Sequence, residues 1–152
     1  MKQATLDYIE NAITRITTDQ VSSEAGSHIA GVFGIAAQKF ERFMHDKLSE
    51  YLKIYKINYN KDIRPKLSKE PPYNKLTLGM IAKCFEIIAE DYPDSITDKL
   101  QQIHFEKFQS LIENMNDVNG VWVGIKHRGE TINKQAATDK LGKMRETLSL
   151  LD

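Results

Sequence analysis

Apolar residues recur every three or four positions along almost the whole chain, and this spacing restricts the fold more than any other feature. A helix of 3.6 residues per turn gathers such positions on one face, whereas a half-buried strand needs strict alternation. Leu6, Ile9, Ile13 and Ile16 predict a first helix over residues 3–18. A second, over 23–58, has the stripe Ile29, Val32, Phe33, Ala36, Phe40, Phe43, Leu48, Tyr51 and Ile54, with Ser22 and Ser23 as cap candidates. Gly26, Gly31 and Gly34 lie inside it and each costs about 1 kcal/mol relative to alanine, so close approach of another helix backbone, or a kink, is expected there.

Residues 59–75 read as one long loop, because Pro65, Pro71 and Pro72 exclude a continuous helix. A third helix is expected over 76–91, ended by Tyr92-Pro93, and a fourth from Asp94 towards residue 125. The run Asn116 to Gly120 is poor in helix formers and is a candidate interruption, and Gly120 to Gly124 is the one short strand candidate. Asn133 is placed to cap a last helix, with Ile132 and Ala137 as a staple and Ala137, Leu141, Met144, Leu148 and Leu151 as its core stripe. The sum is an all-α, up-and-down bundle of about five helices, read as a single domain over residues 1–152.

Charge narrows the function classes. The chain has 21 basic and 21 acidic residues, so a nucleic-acid site has to come from a local patch or from pairing two chains. The 59–75 loop supplies one such patch, with Arg64 and Lys66 as phosphate-binding candidates; a solvated loop is the plainer reading. The single cysteine, Cys84, sits among Ile81, Phe85 and Ile88 and reads as a buried, inert thiol suited to a reducing compartment. The early residues turn polar at once, and the longest stretch without Asp, Glu, Lys or Arg, 25–38, is too short to span a bilayer. A cytoplasmic protein without a membrane segment is expected.

No phosphate-cradling glycine loop, flanked nucleophilic serine or cysteine pair is present. His28, His45, His104 and His127 lack metal-ligand spacing, so neither a metal nor another cofactor is expected. The segment that stands out is Lys126-His127-Arg128-Gly129-Glu130. The His127 imidazole, set between two cations, is a candidate proton-transfer group. Those cations can also hold a phosphodiester, Arg128 with a bidentate fork. The plainer reading is a helix C-terminus, where basic side chains offset the negative end of the dipole.

Three stretches are similar to the HEPN superfamily of small helical domains: Ala36 to Phe43 followed by Leu48 and Tyr51-Leu52; Leu76-Thr77-Leu78-Gly79; and Ile125 to Glu130 ahead of a capped terminal helix. The resemblance covers most of residues 25–152 and implies a HEPN-like bundle acting on RNA as a homodimer. It implies a metal-independent endoribonuclease of a bacterial defence or toxin–antitoxin system. An antitoxin or a nucleotidyltransferase-type protein is then the expected partner. On this reading His127 moves a proton from the ribose 2′-OH, Arg128 and Asn119 complete the catalytic set, and Lys126 joins Arg64 and Lys66 in holding RNA.

The family motif places an arginine four to six positions before the histidine, but this chain has Trp122, Val121 and Gly120 there, and the nearest polar residue upstream is Asn119. The missing guanidinium points to a second expectation, a catalytically inactive helical scaffold for oligomerisation or partner binding. A third is a small-molecule pocket walled by Trp122 and tyrosines, against the plainer assignment of Trp122 to the core.

Overall fold

A computed structural model describes residues 2–18, 25–92 and 105–151. The described residues form five α-helices: α1 (Lys2–Thr18), α2 (Ala25–Ile54), α3 (Leu78–Asp91), α4 (Phe105–Arg128) and α5 (Lys134–Leu150). They contain no strand, and none of their helices is long and apolar enough to cross a membrane. The expected caps Ser22 and Ser23, together with Pro93, the start at Asp94, Leu100, Ile103 and His104, lie outside the described residues.

The long helix α2 is the spine, touching all four other helices, while α1, α5, α4 and α3 follow one another around it. Its apolar stripe explains this position: Phe33, Ala36, Ala37, Phe40, Met44 and Leu48 are fully buried, so their faces must meet neighbours on several sides. The helix pairs α1/α5 and α4/α5 are antiparallel. Lys2 reaches the Leu151 carbonyl while Arg145 meets Glu10, and Lys143 meets Asp117 across the short turn between α4 and α5.

Among the described helices the topology departs from an up-and-down bundle at one step. Glu41 of α2 accepts a hydrogen bond from the Leu78 amide at the start of α3, and further along Tyr51 stacks edge-on against Phe85, with centroids 5.6 Å apart. Both helices therefore run the same way. Parallel neighbours need a crossover, and residues 55–77 supply it. The segment expected as a solvated loop is folded: a π-helical turn (Tyr59–Ile63) and two 3-10 turns (Arg64–Lys66, Tyr73–Lys75) bury Tyr59, Ile63 and Leu67. Tyr73 donates to the His45 carbonyl at 2.8 Å and His45 Nε2 lies 2.8 Å from the Tyr73 carbonyl, which pins the returning chain beside α2.

Other boundaries are corrected by backbone chemistry. α2 stops at Ile54 rather than near residue 58, because Lys56 takes a left-handed conformation (φ 55°). The amides of Lys56 and Ile57 then bond the Lys53 and Leu52 carbonyls. This is the paired closure of a Schellman cap, with lysine where glycine is usual. α4 passes unbroken through Asn116 to Gly120 and through the strand candidate Gly120 to Gly124. There the stripe Phe108, Leu111, Met115, Val118 and Trp122 is buried, and tertiary packing overrides weak propensity. Asn133 caps α5 as expected, its side chain accepting from the Ala136 amide at 2.7 Å. The stripe from Ala137 to Leu151 is core, and Cys84 is buried.

Candidate functional site

Lys126, His127 and Arg128 form the last turn of α4, and all three are exposed. The helix ends there because Gly129 adopts φ 61° and turns the chain back, so that the Glu130 amide reaches the Gly124 carbonyl at 3.2 Å. Glu130 also folds its carboxylate over the helix end. A Cβ at position 124 would lie 2.0 Å from Glu130 Oε2, so glycine is what admits this clasp. Arg128 Nε donates to Glu130 Oε1 at 2.7 Å. That hydrogen bond holds the Glu130 carboxyl below its ordinary range and raises Arg128 further. The guanidinium assigned to phosphate is thus already engaged by a carboxylate, and the turn carries the dipole-offsetting cations of a helix C-terminus.

The other residues grouped with it by sequence lie elsewhere. Asn119 precedes His127 by eight helical positions, which puts it about 80° around the axis and about 12 Å away. Its side chain faces α3: a Cβ on Gly79 would come within 2.7 Å of Asn119 Nδ2. Arg64 and Lys66 sit in the crossover. Arg64 donates to the Glu70 carbonyl at 2.7 Å and to Asn60 Oδ1 at 3.3 Å, and Lys66 pairs with Asp91 at the end of α3. The basic turn of α4 lies by the N-terminal half of α2, where Trp122 meets Gly34, whereas the end of α3 lies beyond Tyr51. At 1.5 Å per residue these regions are separated by roughly 25 Å. One chain therefore brings together Lys126, His127 and Arg128, and leaves Asn119, Arg64 and Lys66 apart from them.

A groove adjoins the basic turn. It measures about 350 Å³ and runs between α2 and α4, lined by Ala30, Gly31, Gly34, Ile35, Trp122 and Ile125, with Gly129 and Glu130 at one end. Trp122 is 5% exposed and its Nε1 has no hydrogen-bond partner among the described residues. The Lys126 ammonium lies over its ring, 5.3 Å from the centroid. Gly34 is tightly occupied, since a Cβ there would meet Trp122 Cζ3 at 3.0 Å; the close approach expected of a helix backbone is made by an indole. A Cβ on Gly31, one turn earlier, would meet nothing within 4 Å among the described residues. Ile35 beside it is 48% exposed, and it shares that distinction among the described large apolar residues with Ile54.

Sequence reasoning missed Glu41, His45 and Tyr73, the three groups that anchor the crossover. Only the aromatic directly after Pro71-Pro72 hinted at an anchor. No three His, Cys, Asp or Glu side chains among the described residues are grouped to hold a metal ion. No family model, curated protein or solved structure matches the chain.

Proposed function

We propose that the chain is a helical scaffold that pairs with a second copy of itself across the groove between α2 and α4. The observation that carries this reading is the relation of Ile35 to Gly31: an exposed apolar knob one helical turn from an open glycine. In a two-fold pairing of α2 with its copy, each Ile35 fits the space above the other chain's Gly31, which makes the face self-complementary. The fit offsets the helix-propensity cost that Gly31 carries in a lone chain, about 1 kcal/mol. A formal net charge of zero adds no long-range repulsion between copies. The test is sedimentation equilibrium of the wild type and of Ile35→Glu, with helicity followed by circular dichroism. A dimer that becomes a folded monomer on substitution supports the reading; a wild type that stays monomeric at high concentration overturns it.

A second reading, an RNA-cutting homodimer, is favoured by the exposed imidazole of His127 between Lys126 and Arg128 at the rim of the same groove. Pairing across the groove would place two such turns along one interface. His127 would take the proton of a ribose 2′-OH while Lys126 holds the phosphate. Arg128 would have to leave Glu130 to assist, and Asn119 would take no part. The HEPN resemblance extends this reading to a cytoplasmic bacterial defence or toxin–antitoxin setting with an antitoxin or nucleotidyltransferase-type partner. Its test is metal-free cleavage of a panel of single-stranded and structured RNAs by wild type and His127→Ala. Cleavage lost in the variant supports it, and no cleavage or equal cleavage rejects it.

A further inference from the structure

The two ends of this neutral molecule differ in charge. Between Lys53 and Lys75 the sequence carries seven basic and two acidic side chains, a net of +5 within a chain that sums to zero. Arg64 and Lys66, the two cations that sequence reasoning singled out, are engaged in holding the crossover together. Lys53, Lys56, Lys61, Lys69 and Lys75 are exposed, and their ammonium groups have no hydrogen-bond or ion-pair partner among the described residues. Lys53 and Lys56 flank a groove of about 390 Å³ whose lining also includes Ser49, Asn60, Tyr59 and the half-buried Tyr73. Among the described residues no carboxylate lines it.

Backbone conformation adds a second, independent observation. The left-handed non-glycine residues among those described are Lys56 (φ 55°), Lys69 (φ 64°) and Glu70 (φ 42°), all within this segment. For an L-residue that conformation is unfavourable, and glycine would serve the Schellman cap at Lys56 with less strain. Strain at such positions clusters where the side chain is needed for something other than the fold. Here two of the three strained residues carry unpaired ammonium groups within the same basic segment.

We infer that this face, from the groove beside Lys53 and Lys56 across the crossover to Lys69, binds the phosphate backbone of single-stranded nucleic acid. Dispersed ammonium groups on flexible stems suit a string of phosphates. An aromatic wall between cations suits a base beside its own phosphate, and a groove of this size admits single nucleotides rather than a duplex. The site lies at the far end of the bundle from the α2–α4 groove and does not depend on self-pairing or on His127.

The left-handed lysines make the test clean, because Lys56→Gly and Lys69→Gly remove charge while relieving strain. Binding of a fluorescein-labelled oligouridylate is followed by anisotropy across a salt series, for wild type, the Lys56→Gly/Lys69→Gly double variant and Arg15→Ala. The wild type should bind at low salt and weaken as salt rises. The glycine variant should melt no lower than wild type, bind several-fold more weakly and show a salt slope shallower by about 1.4, from about 0.7 per phosphate contact. Arg15→Ala, an exposed cation at the end of α1, should bind like wild type. The inference fails if wild type does not bind at low salt, or if the glycine variant binds as tightly as wild type. It also fails if polyglutamate of matched charge displaces the oligonucleotide as well as unlabelled RNA does, which would mark the face as a dock for acidic protein.

Discussion

The indole of Trp122 lies on Gly34, so close that a methyl group on that glycine would stand 3.0 Å from Cζ3 and 3.5 Å from Cη2. This contact joins the spine helix α2 to α4 beside the basic turn, and it fixes the floor of the groove. A methyl group on Gly31, one turn earlier on the same helix, would meet nothing within 4 Å among the described residues.

The two glycines should therefore respond in opposite ways. At concentrations too low for pairing, Gly31→Ala should stabilise the lone folded chain by up to about 1 kcal/mol, the helix-propensity difference. Gly34→Leu should destabilise it by about 1–3 kcal/mol through overpacking. Urea unfolding followed by fluorescence reports both, and the one tryptophan in the chain makes the signal unambiguous. Similar effects at the two positions would refute the distinction.

Lys56→Gly should raise stability by about 0.5–1 kcal/mol, the relief of a left-handed residue less the extra freedom glycine has when unfolded. Lys56→Ala keeps the strain and should give no such gain. Paired thermal melts decide this, and a loss of stability in the glycine variant would contradict the assigned cap.

The start of α3 is held from another helix. Thr77 stands at its N-cap without a side-chain cap bond, and Glu41 of α2 accepts from the Leu78 amide at 3.0 Å instead. Glu41→Ala should cost about 1–2 kcal/mol, as loss of a charge-assisted cap does. Amide exchange at Leu78 should accelerate in the variant, and unchanged protection there would remove Glu41 from this role.

Alkaline pH should unfold the protein by a defined route. Burial pushes the Tyr55 and Tyr73 hydroxyls from 10.0 to about 12 and the Cys84 thiol from 9.0 to about 12. Each group is neutral in both states below its unfolded value, so stability is intact there. Above it the unfolded chain ionises more readily than the folded one, and stability falls with rising pH. The loss should begin near pH 9, steepen above pH 10 and continue to about pH 12. Melting temperatures across that range check the sign, and a rise in stability would overturn it. Cys84 should also resist thiol reagents until the protein unfolds.

Much of the fold was legible because helical periodicity is a local property. The stripes on α1, α2, α3 and α5, the Asn133 cap and the burial of Cys84 follow from residues three to seven positions apart, whose side chains must share a face. The α4 tip was legible too, since a run of cations before glycine is how a helix end is written in sequence. What the periodicity could not say is which helices become neighbours. The parallel step from α2 to α3 rests on Glu41 with Leu78 and His45 with Tyr73, separated by 37 and 28 positions. Such pairings are set by how apolar faces close around one core. The same closure turned Asn119 towards Gly79, gave Arg128 to Glu130, and fixed Arg64 and Lys66 inside the crossover. By itself the sequence determined that the chain is helical and which faces are apolar. Which polar groups remained available at the surface was decided by tertiary structure alone, because a side chain's partner depends on what packing brings beside it.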